Sequence, residues 1–472
     1  MPELPFPDGF TWGVGTSSYQ VEGGVHEGGR GESIWDRFSH TPGKVANDDT
    51  GDVTADHYHR WREDVDLLAE LGVTAYRFSL AWPRIQPAGR AKPNPAGMSF
   101  YDRLIDALLE RGIQPMPTLY HWDLPQALED EGGWLERSTV DAFRAYAGVC
   151  FDAFGDRVRT WFTVNEPWVA ATLGYRIGLH APGMRDLRLA TRVSHHLLLA
   201  HGMAVEAYRA SGRPGRIGIV ASLSPTYAAS DSEEDRVAAV GSDGYTNRWF
   251  LDPVLTGAYP EDMLELFGRL AGPLDYIKPG DAALIGTSSD FLGVNYYTRR
   301  VVGTGTTDGG LPWSVRPAAL DVPKTDTGWE ITPGALTELL GRLVRDYPAI
   351  PILITENGCV YLDAPDPNGR IPDTGRIAYL RDHLVAIHAA IESGVPVEGY
   401  CYWSLLDNYE WAEGFRSRFG LVHVDYPTGR RLMKDSGRAY ARIIAANAVD
   451  PEADVARPAQ PALAAPEEVG GS

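Results

Sequence analysis

Residues 55–82 read ADHYHRWREDVDLLAELGVTAYRFSLAW, and they contain one complete structural unit of the chain. In 55–71 the apolar residues fall at helical spacing, and the pattern stops at Gly72, a residue suited to the left-handed position that closes a helix. The segment 75–82 (AYRFSLAW) is nearly continuous in apolar residues, as expected of a parallel strand covered on both faces. The same kind of run recurs at 10–17 (FTWGVGTS), 114–121 (QPMPTLYH), 160–166 (TWFTVNE), 216–223 (RIGIVASL), 290–297 (DFLGVNYY), 351–356 (PILITE) and 397–405 (VEGYCYWSL). Helical patterns lie between the runs, at 100–111, 138–154, 191–211, 334–346, 376–393 and 435–446. Eight strand–helix alternations predict an α/β fold, a closed (β/α)8 TIM barrel. An open doubly wound sheet is the rival, but no G-x-G-x-x-G follows the first run.

The chain has 472 residues, a length that would suggest two or three domains, yet barrels with long loops run past about 400 residues as one. Residues 1–449 are therefore expected to form one catalytic domain. Residues 450–472 (DPEADVARPAQPALAAPEEVGGS) read as a disordered Pro/Ala-rich tail. Three polar, turn-rich stretches break the rhythm, at 20–54, 299–332 and 361–375. They are expected to be long βα loops walling the mouth of the barrel. A formal charge of −20 repels phosphate backbones and anionic lipid, so neither nucleic acid nor a membrane surface is an expected partner. No apolar run reaches the ~18 residues of a membrane span. Met1–Phe10 lacks the charged and apolar regions of a signal peptide, and the expectation is a cytoplasmic protein. Three cysteines (150, 359, 401) give no disulfide framework.

Polar and aromatic side chains collect where the apolar runs end. Gln20 follows the first closely and Arg77 lies in the second. His121 and Trp122 end the third, Asn165 and Glu166 the fourth, Asn295 and Tyr297 the sixth, and Glu356 the seventh. Trp403 is late in the eighth, with Glu410 and Trp411 soon after. In a parallel barrel all these ends face one mouth, so residues almost 400 positions apart would converge. No metal is expected: His57 and His59 are two apart on a helix and cannot share a face, and His195, His196 and His201 lack a ligand spacing. Two carboxylates among amides and indoles suit cleavage of a glycosidic bond, which needs one group to protonate the leaving oxygen and another to attack or stabilise the sugar cation. No organic cofactor is required for that chemistry.

The separated motifs FPDGFTWGVGTSSYQVEG (6–23), RFSLAWPRI (77–85), HWDLPQAL (121–128), TVNEPW (163–168), GVNYYT (293–298), ITENG (354–358) and WSLLDNYEW (403–411) occur in this order. With them the chain resembles glycoside hydrolase family 1, the β-glucosidase family, from about residue 4 to about 446. The resemblance implies that Glu166 is the general acid/base and Glu356 the nucleophile. It implies that Asn165 contacts the sugar 2-hydroxyl, that Gln20, His121, Trp403, Glu410 and Trp411 hold the terminal sugar, and that Arg77 and Tyr297 orient the nucleophile. Trp122 and Asn295 belong to the same pocket, and Trp329 in GWEI (328–331) resembles the platform for the leaving group. Position 166 is Glu, where the thioglucosidase branch has Gln. The stretch Asn408–Arg416 lacks the Ser, Lys and Tyr of the 6-phospho-glycosidase branch.

The expected activity is that of a retaining β-glucosidase acting on terminal non-reducing β-D-glucosyl residues of β-glucosides and short oligosaccharides such as cellobiose, with water or a second sugar as acceptor. A retaining pair stands about 5–5.5 Å apart. Glu166 should begin protonated, held so by burial and by the charge of Glu356, and should become the base once Glu356 is glycosylated. The rivals are a β-galactosidase, β-fucosidase or 6-phospho-β-glucosidase of the same family, and a catalytically silent sugar-binding protein on the same scaffold.

Overall fold

The computed structural model describes residues 2–307 and 310–453. The predicted tail lies, from residue 454 on, outside the described residues. Eight parallel strands close into a barrel: β1 (Thr11–Gly15), β2 (Ala75–Ser79), β3 (Gln114–Tyr120), β4 (Thr160–Asn165), β5 (Arg216–Ser222), β6 (Phe291–Asn295), β7 (Ile352–Asn357) and β8 (Val397–Trp403). Each pairs with its neighbours in sequence, and β8 returns to β1 through Gly399–Trp403 against Thr11–Gly15. Seven of the eight runs read from the sequence contain one of these strands whole, and β7 extends one residue past its run, to Asn357.

The helices α1 (His57–Leu71), α2 (Pro95–Glu110), α3 (Arg137–Phe154), α4 (Leu187–Ser211), α5 (Glu233–Asp243), α6 (Pro333–Asp346), α7 (Thr374–Glu392) and α8 (Asp435–Ala446) follow the strands in order. α1 buries His57, Trp61, Asp64, Val65, Leu68 and Leu71 and ends at Gly72 with φ 73°. His57 is buried against Asp64 while His59 stays half exposed, so the two do lie on different faces. α2 starts five residues before the apolar pattern because Asn94 caps it, accepting from the Ala96 N–H, with Pro95 in the first turn. Between β5 and β6, where the sequence shows no helical pattern, α5 occupies 233–243, and helices Trp249–Thr256 and Glu261–Leu270 follow. Pro253 lies inside Trp249–Thr256, a position that sequence rules read as a helix breaker.

The barrel interior is layered. Ala75, Met116, Phe162, Val220, Phe291, Leu353 and Cys401, one each from β2 to β8, form a separate apolar cluster. The eighth place is Gly13, where a Cβ would stand 2.7 Å from Cys401 Sγ. Two residues further along β2 comes Arg77 on the same face. The apolar plug therefore carries a charged layer above it. On β4 and β7 simple alternation fails. Asn165 is three residues past Phe162, and Glu356 three past Leu353, yet both point inward with Arg77. Register shifts at Phe162/Asn165 and Ile354/Glu356 supply the change of face. Such irregularities re-aim a side chain next to a site.

A buried ion cluster ties the loop after β8 to the loop after β7. Lys434 Nζ lies 2.9 Å from Asp407 Oδ1 and 3.0 Å from Asp363. Arg418 and the Gly420 N–H also donate to Asp407, and Arg376 donates to Asp363. Asp363, Asp407 and His423 have the proximity of a metal-ligand set, but the Lys434 ammonium lies against both carboxylates. Burial would raise the Asp407 pKa; Lys434, His423 and Arg418 outweigh it and hold the group well below the usual carboxylate range. Asp407→Asn removes the charge and leaves Lys434 short of a counter-ion. We expect a loss of about 3 kcal/mol at neutral pH, read from the denaturant midpoint. Because the folded pKa is depressed, the wild-type advantage should be full above about pH 4 and shrink as pH falls below it. Equal midpoints at pH 7 would show that the cluster contributes nothing net.

Candidate active site

The C-terminal ends of the strands deliver the charged layer to one cavity. Arg77 is fully buried. Its Nη1 donates to Glu356 Oε1 at 2.6 Å and to the Thr355 carbonyl at 3.2 Å, and its Nη2 donates to Asn165 Oδ1 at 2.6 Å. The Tyr297 hydroxyl donates to Glu356 Oε2 at 2.7 Å. Each oxygen of Glu356 thus has its own donor, which fixes the plane of the carboxylate. Burial, then the charges of Glu356 and Glu166, hold the Tyr297 phenol well above its ordinary pKa, so it stays a donor.

Glu166 is the residue between β4 and the short helix Pro167–Ala171. It takes φ 47°, and Pro167 opens the helix. Trp122 (φ 78°) and Trp411 (φ 51°) also occupy the left-handed region. Such conformations cost about 1–3 kcal/mol in non-glycine residues and persist only where the surroundings impose them. Three of them wall a single cavity. Glu166 Oε1 accepts from Asn295 Nδ2 at 3.0 Å, and Asn295 Oδ1 is held by the Thr355 hydroxyl at 2.6 Å. Burial, and then the negative charge of Glu356, push the Glu166 pKa up to about 8; Asn295, Ser222 and Arg77 oppose without cancelling this. Two carboxyl groups in one site are thereby separated in character: Glu356 is ion-paired, and Glu166 is mostly protonated at neutral pH.

Asn165 Nδ2 donates to His121 Nε2 at 3.1 Å, which places the imidazole proton on Nδ1. Burial, reinforced by the positive charge of Arg77, holds His121 well below the ordinary imidazole pKa, so the ring is neutral. Its Nδ1 has no partner among the described residues. Trp122 Nε1 donates to the Asn165 carbonyl at 2.9 Å. Burial and the nearby Glu356 and Glu166 charges push Glu410 up to about 8. Gln20 is buried behind Glu410 rather than on the cavity wall, donating to Glu410 Oε2 at 3.2 Å and Asn408 Oδ1 at 3.0 Å. Gly358, the last residue of ITENG, is needed as glycine: a Cβ there would stand 2.0 Å from the Trp403 carbonyl oxygen.

The cavity holds about 350 Å3 and is walled by His121, Trp122, Glu166, Tyr297, Trp329, Glu356, Trp403, Glu410 and Trp411. All are residues the sequence singled out. His121 stacks near-parallel to Trp403 and Trp411, at 5.8 and 5.9 Å between centroids. Trp329 is partly exposed at the mouth beside Tyr297 and Phe419. Arg77, Asn165, Asn295 and Gln20 lie behind this surface and hold the lining groups in place. The sequence reading missed Trp168, Leu173, Leu179, His180, Ser222, Ser224, Thr298, Arg300, Glu413 and Phe419, which also line the cavity. Ser222 ends β5 and the strand-end rule could have found it. Most of the others sit on loops whose path no local pattern encodes.

The description "Glycosyl hydrolase family 1" matches residues 3–449. Beta-glucosidase A of Thermotoga maritima is 47% identical over 447 residues, 94% of this chain and 99% of that protein. Beta-glucosidase A of Acetivibrio thermocellus is 48% identical, over 95% of this chain and all of that protein. The solved structure of the family 1 β-glucosidase from Thermotoga maritima superposes with a TM-score of 0.91 at 46% identity, covering 95% of this chain and 100% of the other. A barrel whose mouth holds one ion-paired glutamate and one buried beside it, matched over nearly its whole length by these relatives, leads to one assignment: the chain belongs to glycosyl hydrolase family 1 and is a glycoside hydrolase.

Proposed function

We propose that the protein is a retaining β-glucosidase that releases terminal, non-reducing β-D-glucosyl residues from β-glucosides and short oligosaccharides such as cellobiose. Residues 1–449 act as one catalytic unit, and the three free, buried thiols suit a reducing cytoplasm. The observation that carries the reading is the different setting of the two carboxyl groups: Glu356 is ion-paired to Arg77 and bonded by Tyr297, whereas Glu166 is buried with a neutral amide as its donor. In the first step a Glu356 oxygen attacks the anomeric carbon while Glu166 gives its proton to the glycosidic oxygen, so the leaving group departs neutral. The Arg77 and Tyr297 donors keep the attacking carboxylate aimed. Esterification of Glu356 removes the charge that is the second cause of the raised Glu166 pKa. Glu166 then takes a proton from water or from an acceptor hydroxyl, and that oxygen displaces Glu356. His121, Glu410, Trp403 and Trp411 hold the sugar, Asn165 steadies His121, Gln20 steadies Glu410, Trp122 steadies Asn165, Asn295 steadies Glu166, and Trp329 receives the leaving group.

The stretch Glu410–Arg416 lacks the Ser, Lys and Tyr that the phospho-glycosidase branch carries there, which disfavours the phospho-glycosidase reading. The experiment is NMR of the anomeric protons during hydrolysis of an aryl β-glucoside. β-Glucose must appear first and mutarotate later. A first-formed α anomer would exclude the covalent route, and no turnover at all would exclude the β-glucosidase reading.

A further inference from the structure

The leaving-group wall carries a cation for which the reaction just described has no use. Arg300 opens the short strand Arg300–Gly303, which pairs in parallel with Thr226–Ala228, and its own N–H donates to the Pro225 carbonyl at 2.8 Å. The position is therefore fixed by backbone pairing, unlike that of a loop tip. Its guanidinium lies 4.6 Å from the ring centroid of Trp168, two residues after Glu166. Trp168 meets Tyr245 edge-on at 6.2 Å, and Arg176 covers the other ring at 5.4 Å while donating to Thr307 Oγ1. Two guanidiniums thus flank a pair of aromatic rings in one stack. Among the described residues no carboxylate lies within salt-bridge distance of Arg300, and it is the only Lys or Arg that lines the cavity.

We propose that Arg300 makes the leaving-group side of the cavity selective for β-glucosides whose aglycone bears a carboxylate, with an aryl acid as the fitting class: the ring packs along Trp168 and the acid pairs with the guanidinium. The proposal rests on the β-glucosidase reading and deepens it. Several observations support it. An aglycone whose oxygen is protonated by Glu166 emerges beside Trp168, hence beside Arg300. Burial lowers the Arg300 pKa only to about 10, with Arg176 adding to the effect and Tyr245 opposing it, so the group is a cation at neutral pH. The repulsion an anionic aglycone would meet from the cavity is limited, because Glu166 and Glu410 are mostly protonated there, Glu356 is paired with Arg77, and Glu413 is paired with Arg416. Guanidinium is the cation best shaped for a planar carboxylate, and a charge-assisted bond in a partly dry site favours the acid about tenfold or more.

The test compares kcat/KM for 4-carboxyphenyl and 4-carbamoylphenyl β-D-glucosides in the wild type, Arg300→Gln and Arg300→Lys. Taking the acid-to-amide ratio in each protein, and then comparing proteins, cancels the difference in leaving-group acidity. The ratio should fall about tenfold in Arg300→Gln and be largely kept in Arg300→Lys. In the wild type it should also fall as ionic strength rises from about 10 mM to about 0.5 M, a reading that needs no variant. A ratio unchanged by Arg300→Gln, or a wild-type ratio indifferent to salt if that variant does not fold, overturns the proposal and leaves Arg300 as a prop for Trp168. Turnover of both glucosides without charge preference sinks only this inference; turnover of neither sinks the β-glucosidase reading with it.

Discussion

Glu356→Ala is expected to lower kcat on aryl β-glucosides by about 10^5-fold, equivalent to about 7 kcal/mol of transition-state stabilisation. The loss is large because no neighbour can replace the carboxylate. Tyr297 is a donor held in its neutral form, and Glu166 is committed to the leaving-group oxygen. Azide supplied in solution should restore turnover with an activated aryl glucoside: it enters the vacated space, its nitrogen bonds to the anomeric carbon, and the phenolate leaves. The attack comes from the side Glu356 occupied, so the product is α-glucosyl azide. The same variant tests the electrostatics, since the Glu356 charge contributes to the raised pKa of Glu166. In Glu356→Ala the Glu166 carboxyl should titrate below its wild-type value of about 8, measurable by infrared difference spectroscopy. Residual activity above about one per cent, or azide rescue that yields the β-azide, would remove Glu356 from the nucleophile's role.

The strands were the most legible part of this protein, for a reason visible in the plug. A parallel strand buried on both faces must be apolar almost throughout, and nothing else in a chain of this composition looks like AYRFSLAW or PILITE. The site was legible because the barrel projects every strand end to one mouth, so Asn165, Glu166, Asn295 and Glu356 converge by topology alone. The change of face on β4 and β7 was not legible: Asn165 and Glu356 sit an odd number of residues from the plug, and only the register shifts bring them inward. Strict alternation would have turned both away from Arg77. The division between lining and supporting residues was also hidden. Gln20 reads like a sugar contact, yet its amide is spent on Glu410 and Asn408. His180 and Arg300 come from segments whose course is set by long-range packing, and their neighbours in sequence give no hint of the cavity.

Glu166→Gln should separate the two chemical steps. With a phenyl or alkyl β-glucoside, whose leaving group must be protonated, kcat/KM should fall by about 10^3- to 10^4-fold. With 2,4-dinitrophenyl β-glucoside, which departs without help, glycosylation should proceed nearly as before and the glycosyl-enzyme should accumulate. It would appear as a burst of dinitrophenolate, followed by slow turnover because no base activates water. The pH dependence carries the sign of the argument. The working form of Glu166 in the first step is protonated, and its pKa is about 8, so wild-type kcat/KM on the phenyl glucoside should hold below that value and fall above it. Because Glu166, Glu356 and Glu410 share one cavity, that limb reports the titration of the set. Glutamine has no proton to lose, and the variant's low kcat/KM on the phenyl substrate should lack the limb assigned to Glu166. In the second step the requirement reverses: with Glu356 esterified its charge no longer opposes ionisation of Glu166, and the same side chain that was an acid in one half-reaction is a base in the next. If the variant kept the basic limb, or lost equally on good and poor leaving groups, the proton would have to come from elsewhere. Glu410, also pushed up to about 8 and lining the same cavity, would be the group to mutate next.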